Sequence, residues 1–82
     1  MVKYIVKDVN ILRKNVQIQT DYITLGQLLK QTDVIQSGGM AKWFLQEHTV
    51  IVNDEEEVRR GRKLYVGDQI SIDGYGEFIV TS

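Results

Sequence analysis

Cysteine and proline are both absent from the 82 residues, and histidine and tryptophan occur once each. Without cysteine, neither disulfides nor thiolate metal sites can supplement the core, and nothing indicates an oxidising compartment. One histidine without neighbouring ligands makes no metal site. The apolar runs are only a few residues long, far short of a membrane span, and the first residues lack the apolar core of a signal peptide. The expectation is a single-domain, cytoplasmic, monomeric protein near the lower size limit for a fold held by its core alone. Enzyme signatures are missing as well. There is no phosphate-binding Gly-Lys-Ser/Thr loop, no His/Asp pair near a serine and no carboxylate pair placed to separate two pKa values. No catalytic residue, cofactor or metal is therefore expected.

Charge is distributed unevenly. The formal net charge is -1, yet Asp54, Glu55, Glu56 and Glu57 stand directly before Arg59, Arg60, Arg62 and Lys63, which surround Gly61. Local potential decides binding, and the sum hides such a patch. A second feature is the stretch from Ser37 to Leu45, which opens a helix on Gly38 and Gly39 and places Lys42 in its first turn. The first amides of a helix lack partners within it, and glycine has no Cβ to keep a phosphate away from them. Two separate segments thus suit a phosphodiester.

Hydrophobic periodicity outlines the fold. Residues 2 to 7 alternate like a half-buried strand, 10 to 15 read as a basic turn, and 16 to 20 alternate again, which suggests an N-terminal hairpin. Thr24 with Gln27 is a capping box, and Ile23 with Leu28 has staple spacing, so helix one should run from Leu25 to Thr32 with Leu25, Leu28 and Leu29 inward. Ser37 is a good N-cap type for helix two, on which Met40, Ala41, Phe44, Leu45 and His48 form a buried stripe. His48 should end that helix. Alternation then resumes, with Val50 and Val52 inward, a turn at Asn53-Asp54, and Val58 and Leu64 continuing the apolar pattern. Further turns fall at Val66-Gly67-Asp68 and Gly74-Tyr75-Gly76, around strands 69 to 73 and 77 to 80. The fold class is α+β: a helix pair packed on a small, mostly antiparallel sheet.

The skeleton Ile23-Thr24-Leu25, Leu28-Leu29, Ser37, Ala41-Lys42, Phe44-Leu45, Val50-Ile51-Val52-Asn53 and Val66-Gly67-Asp68-Gln69-Ile70 resembles the RNA-binding domain named after small-subunit ribosomal protein S4. The segments Ser37 to Leu45 and Arg59 to Tyr65 are similar to those of its stand-alone bacterial YaaA-like members. The resemblance covers about residues 16 to 80, giving an N-terminal extension, 1 to 15, with a possible edge strand, and an S4-like domain, 16 to 82. It implies binding to structured RNA, such as ribosomal RNA, through the helix pair and the basic loop. Where that family usually has arginine after the capping serine, this chain has Gly38, which shifts weight onto backbone amides. Where the family has glycine after the asparagine, this chain has Asp54.

The RNA-binding candidates are Ser37, Gly38, Gly39, Lys42, Arg59, Arg60, Arg62 and Lys63. Each has a competing account. The glycine pair also suits a tight helix–helix turn, and the four cations also suit exposed ion pairs with Asp54 to Glu57, worth roughly 0–1 kcal/mol each. Trp43 is expected to pack beside the core, with base stacking as the other option. The alternative function is a protein–protein adaptor in a replication or ribosome-associated complex, using an apolar patch around Trp43, Tyr65 and Tyr75.

Overall fold

A computed structural model describes residues 13–82. Five strands form one sheet in the order β1-β7-β6-β3-β4, where β1 is Arg13–Gln17, β3 Val50–Val52, β4 Glu55–Glu56, β6 Gln69–Ile72 and β7 Gly76–Thr81. Two short strands, β2 (Ile23–Thr24) and β5 (Lys63–Leu64), pair separately and antiparallel. Between β2 and β3 lie helix α1 (Leu25–Gln31), a 3-10 turn (Gly38–Met40) and helix α2 (Ala41–Glu47). The architecture is α+β with a mostly antiparallel sheet, as the periodicity implies.

The N-terminal region differs from expectation. Arg13 to Asn15 belong to a strand rather than a turn, and β1 pairs in parallel with the last strand, Val16 opposite Val80. Ile18 N–H extends this ladder to the Thr81 carbonyl at 2.8 Å. The expected strand over residues 2 to 7, and the hairpin built on it, lie outside the described residues.

One core joins the layers. Leu25, Leu28 and Leu29 of α1 and Ala41, Phe44 and Leu45 of α2 pack with Val50, Val52, Leu64, Ile70, Ile72, Phe78 and Val80 of the strands. Ile35 is buried too, so the connection between the helices is pinned to the core. The stripe on α2 is narrower than its spacing suggests. Met40 and Trp43 are exposed, Trp43 by 66%, and Val58 is exposed in the charged loop. Helix α2 is only seven residues long and offers the core one face, so side chains just off that face remain in water.

Turn chemistry fixes the hairpins. Asn53 (φ 49°) and Asp54 (φ 74°) both occupy the left-handed region, as a two-residue hairpin turn with matching twist demands. Asn53 Nδ2 donates to Asp68 Oδ1, and Asn53 Oδ1 accepts from Gln69 N–H, both at 2.9 Å. Asp68 Oδ2 accepts in turn from Tyr65 N–H at 2.8 Å. Two distant turns thereby brace each other.

Candidate nucleic-acid interface

Thr24 caps α1 as its sequence implies. Its hydroxyl accepts from Gln27 N–H at 3.2 Å, and Gln27 Oε1 accepts from Thr24 N–H at 2.9 Å. The next two early amides find an unexpected partner in the basic loop. Leu25 N–H donates to the Arg62 carbonyl at 2.8 Å and Gly26 N–H to the Arg60 carbonyl at 2.9 Å. Donors that would otherwise face water at a helix start instead clamp residues 60 to 62 onto the helix pair. The loop has fixed backbone because α1 holds it.

A buried carboxylate fixes its side chains. Glu57 is 6% exposed. Its Oε2 accepts from Arg59 N–H (3.0 Å) and Arg59 Nε (2.9 Å), while Oε1 accepts from Arg59 Nη2 (3.1 Å) and Arg62 Nη1 (2.8 Å). These bonds, with Arg59 first, hold the carboxyl ionised against its burial and lower its pKa from 4.5 to about 2. The Arg59 pKa is raised in return by the same contact. Glu57 was not legible as special, since it ends a run of four acids. Its three acidic neighbours are exposed and form no ion pair among the described residues. The expected pairing across the hairpin therefore reduces to one residue. It leaves the Arg59 side chain 71% exposed and Arg62 at 26%. Arg60 and Lys63 are exposed without an ion-pair partner among the described residues.

The second candidate segment begins differently from expectation. Ser37 stands at the N-cap of the 3-10 turn and its side chain makes no capping bond; α2 proper starts only at Ala41. Met40 N–H reaches the Ser37 carbonyl at 3.1 Å and Ala41 N–H reaches Gly38, whereas Gly38 and Gly39 N–H find no acceptor among the described residues. Residues 36 to 40 and Lys42 are all exposed.

Gly26 brings the two segments together. A Cβ placed there would lie 3.5 Å from Arg60 Cβ and 3.6 Å from Ala41 Cβ, so the basic loop and the start of α2 flank one glycine of α1. A methyl group there would make ordinary van der Waals contact with both. The other glycines divide cleanly. Gly67, Gly74 and Gly76 adopt positive φ, which explains them. Gly38, Gly39 and Gly61 do not, and nothing lies within 4 Å of a Cβ built on any of the three. Neither backbone conformation nor packing requires glycine at these positions, and all three belong to the two candidate segments. A tight-turn explanation for Gly38-Gly39 thus finds no support in the geometry.

Among the described residues no cluster of three or more His, Asp or Glu could hold a metal, and no helix is long and apolar enough to cross a membrane. His48 ends α2 and stacks on Phe44 with ring centroids 4.2 Å apart, while Tyr75 meets both rings edge-on.

The candidate site is therefore a basic face on a small α+β domain, formed by a helix pair and the loop hydrogen-bonded to it. The S4 domain family model matches residues 16–81. A Bacillus subtilis (strain 168) protein named probable ribosome maturation protein RlbA is 66% identical over 67 residues, covering 82% of this chain and 94% of that one. The chain belongs to the S4 domain family. No solved structure matches it.

Proposed function

We propose that the protein is a non-catalytic, monomeric, cytoplasmic RNA-binding protein that acts on structured RNA, ribosomal RNA foremost, during ribosome maturation. The family, and the name of the Bacillus relative, support that setting. The observation that carries the reading is the glycine pattern: the three glycines that combine a non-positive φ with open space around a built Cβ lie in the two segments that also carry the cations. Glycine there is accounted for by a ligand that approaches the backbone closely, as a phosphate does.

In this reading Gly38 and Gly39 N–H and the Ser37 hydroxyl donate to one phosphate, with Lys42 adding charge. Arg59, Arg60 and Lys63 contact others, and guanidinium forks suit the phosphate oxygens. Arg62, held by Glu57 and half-buried, mainly positions the loop. Convergence at Gly26 fixes the spacing between the groups, so a folded RNA that presents phosphates at that spacing is favoured over a flexible strand.

Salt dependence tests the proposal. With roughly three to five phosphates neutralised, log K for a ribosomal RNA fragment should fall with log salt at about -0.7 to -0.9 per phosphate. A flat response would sink it. A second reading, a protein-docking adaptor, draws on the exposure of Trp43, Tyr65 and Tyr75. These do not form one patch: Tyr65 packs with Tyr22 and Tyr75 with Phe44 and His48. That scatter favours RNA.

A further inference from the structure

Tyr22 and Tyr65 lie outside the phosphate face described so far, and strand alternation explains their position. The β2–β5 ladder pairs Ile23 with Leu64 and Thr24 with Lys63, and Ile23 and Leu64 both point into the core. The residues one step along each strand therefore face solvent. Tyr22 is 39% and Tyr65 49% exposed. Their ring centroids are 5.9 Å apart with planes tilted by 51°. Lys63 Nζ lies 4.9 Å from the Tyr22 centroid, which places a cation against the aromatic pair.

Beside Tyr65 opens a cavity lined by Arg59, Gly61, Arg62 and Lys63. Its walls are preset. Glu57 holds both guanidinium groups, α1 holds the loop backbone, and Gly61 leaves its side of the cavity open. An aromatic ring bordered by fixed cations complements a group with a flat π face and a negative charge. A nucleotide is such a group, because every base has a face to stack and a phosphate attached close by.

We propose that this cavity is a subsite for one unpaired nucleotide of the bound RNA, with its base stacked on Tyr65 and its phosphate against Arg59 and Lys63. The inference rests on the RNA-binding reading and narrows it to RNA that carries a bulged or flipped-out nucleotide. A regular A-form stem keeps its bases stacked inside and has none to offer.

Two RNA hairpins with the same stem test this, one fully paired and one with a single bulged 2-aminopurine. Affinity at fixed low salt and 2-aminopurine fluorescence are both read. The bulged hairpin should bind roughly 5- to 100-fold tighter, with fluorescence quenched on binding. Tyr65→Ala should remove the preference and the quench while leaving affinity for the paired hairpin unchanged, and Tyr65→Phe should keep both. The Tyr65 bond to Asp68 uses its backbone N–H, so the fold survives either change, and an amide spectrum checks it. Equal affinity of the unaltered protein for the two hairpins overturns the subsite but leaves the phosphate face standing. So does a preference that survives Tyr65→Ala. Failure to bind either hairpin at low salt overturns the RNA-binding reading and the subsite together.

Discussion

Helix α1 starts on a reciprocal capping box, and its next two amides are taken by carbonyls of the basic loop. The second helical segment starts on Ser37, Gly38 and Gly39, whose hydroxyl is unused in capping and whose two glycine amides have no acceptor among the described residues. Both starts carry a hydroxyl residue of the preferred N-cap type, so residue type alone does not separate them. What separates them is the loop from Glu57 to Lys63. It closes one helix start and stands beside the other. The first is organised for stability, and the second keeps its donors available to a ligand.

The largest effect expected on that contrast is the loss of the cations beside the open start. Neutralising Arg59, Arg60 and Lys63 to Gln should lower affinity for a ribosomal RNA fragment on the order of 100-fold at low salt and flatten the salt slope by about 2 to 3. The thermal midpoint should barely move for Arg60 and Lys63, which have no ion-pair partner among the described residues. Unchanged affinity in the triple variant would place the ligand elsewhere.

Glu57→Gln attacks the element shared by both starts. Losing the charge behind two guanidinium groups should cost about 1–3 kcal/mol of stability in chemical denaturation. The pH dependence has a definite sign. Glu57 has a folded-state pKa depressed from 4.5 to about 2, so its stabilisation is fully present above 4.5 and is lost as pH falls toward 2. The variant should lack that part of the acid-induced loss. Identical acid profiles for the two proteins would contradict the assigned role.

Thr24→Ala and Ser37→Ala compare the two caps directly. Thr24→Ala removes a bond that is made and should cost about 1 kcal/mol. Ser37→Ala removes a side chain that caps nothing and should stay within about 0.5 kcal/mol, with its effect falling on RNA affinity instead. Equal stability losses would erase the distinction.

What was legible in the sequence follows the range of the interactions. The capping box of α1 spans three residues and was readable, as were the inward Leu25, Leu28 and Leu29 and the turns at Asn53, Gly67 and Gly74. Ser37 was readable as an N-cap position, but its unused hydroxyl was not, because composition does not report whether a bond forms. Periodicity placed Met40 in the buried stripe and carried Val58 inward, whereas burial depends on what a neighbouring element covers. The parallel pairing of β1 with β7 joins opposite ends of the described chain, and no local signal encodes it. Glu57 illustrates the limit most clearly. Three acidic neighbours share its composition, and only the folded loop sets it behind two arginines. The candidate cations were legible because charge clusters in sequence; the approach of Arg60 and Ala41, one from each segment, on either side of Gly26 was not.

The smallest change expected is also the most discriminating. Gly39→Ala adds one methyl group where nothing lies within 4 Å and where φ is not positive. Alanine restricts the unfolded chain more than glycine does, so the fold should be unaffected or gain about 0.5–1 kcal/mol. If a phosphate approaches the Gly38 and Gly39 amides, the same methyl group should weaken RNA binding. Stability and affinity then move in opposite directions, which neither a destabilised fold nor a merely permissive turn produces. Thermal melts and RNA titrations of this variant decide the point, and a stabilised protein with undiminished affinity would remove the second helix start from the interface.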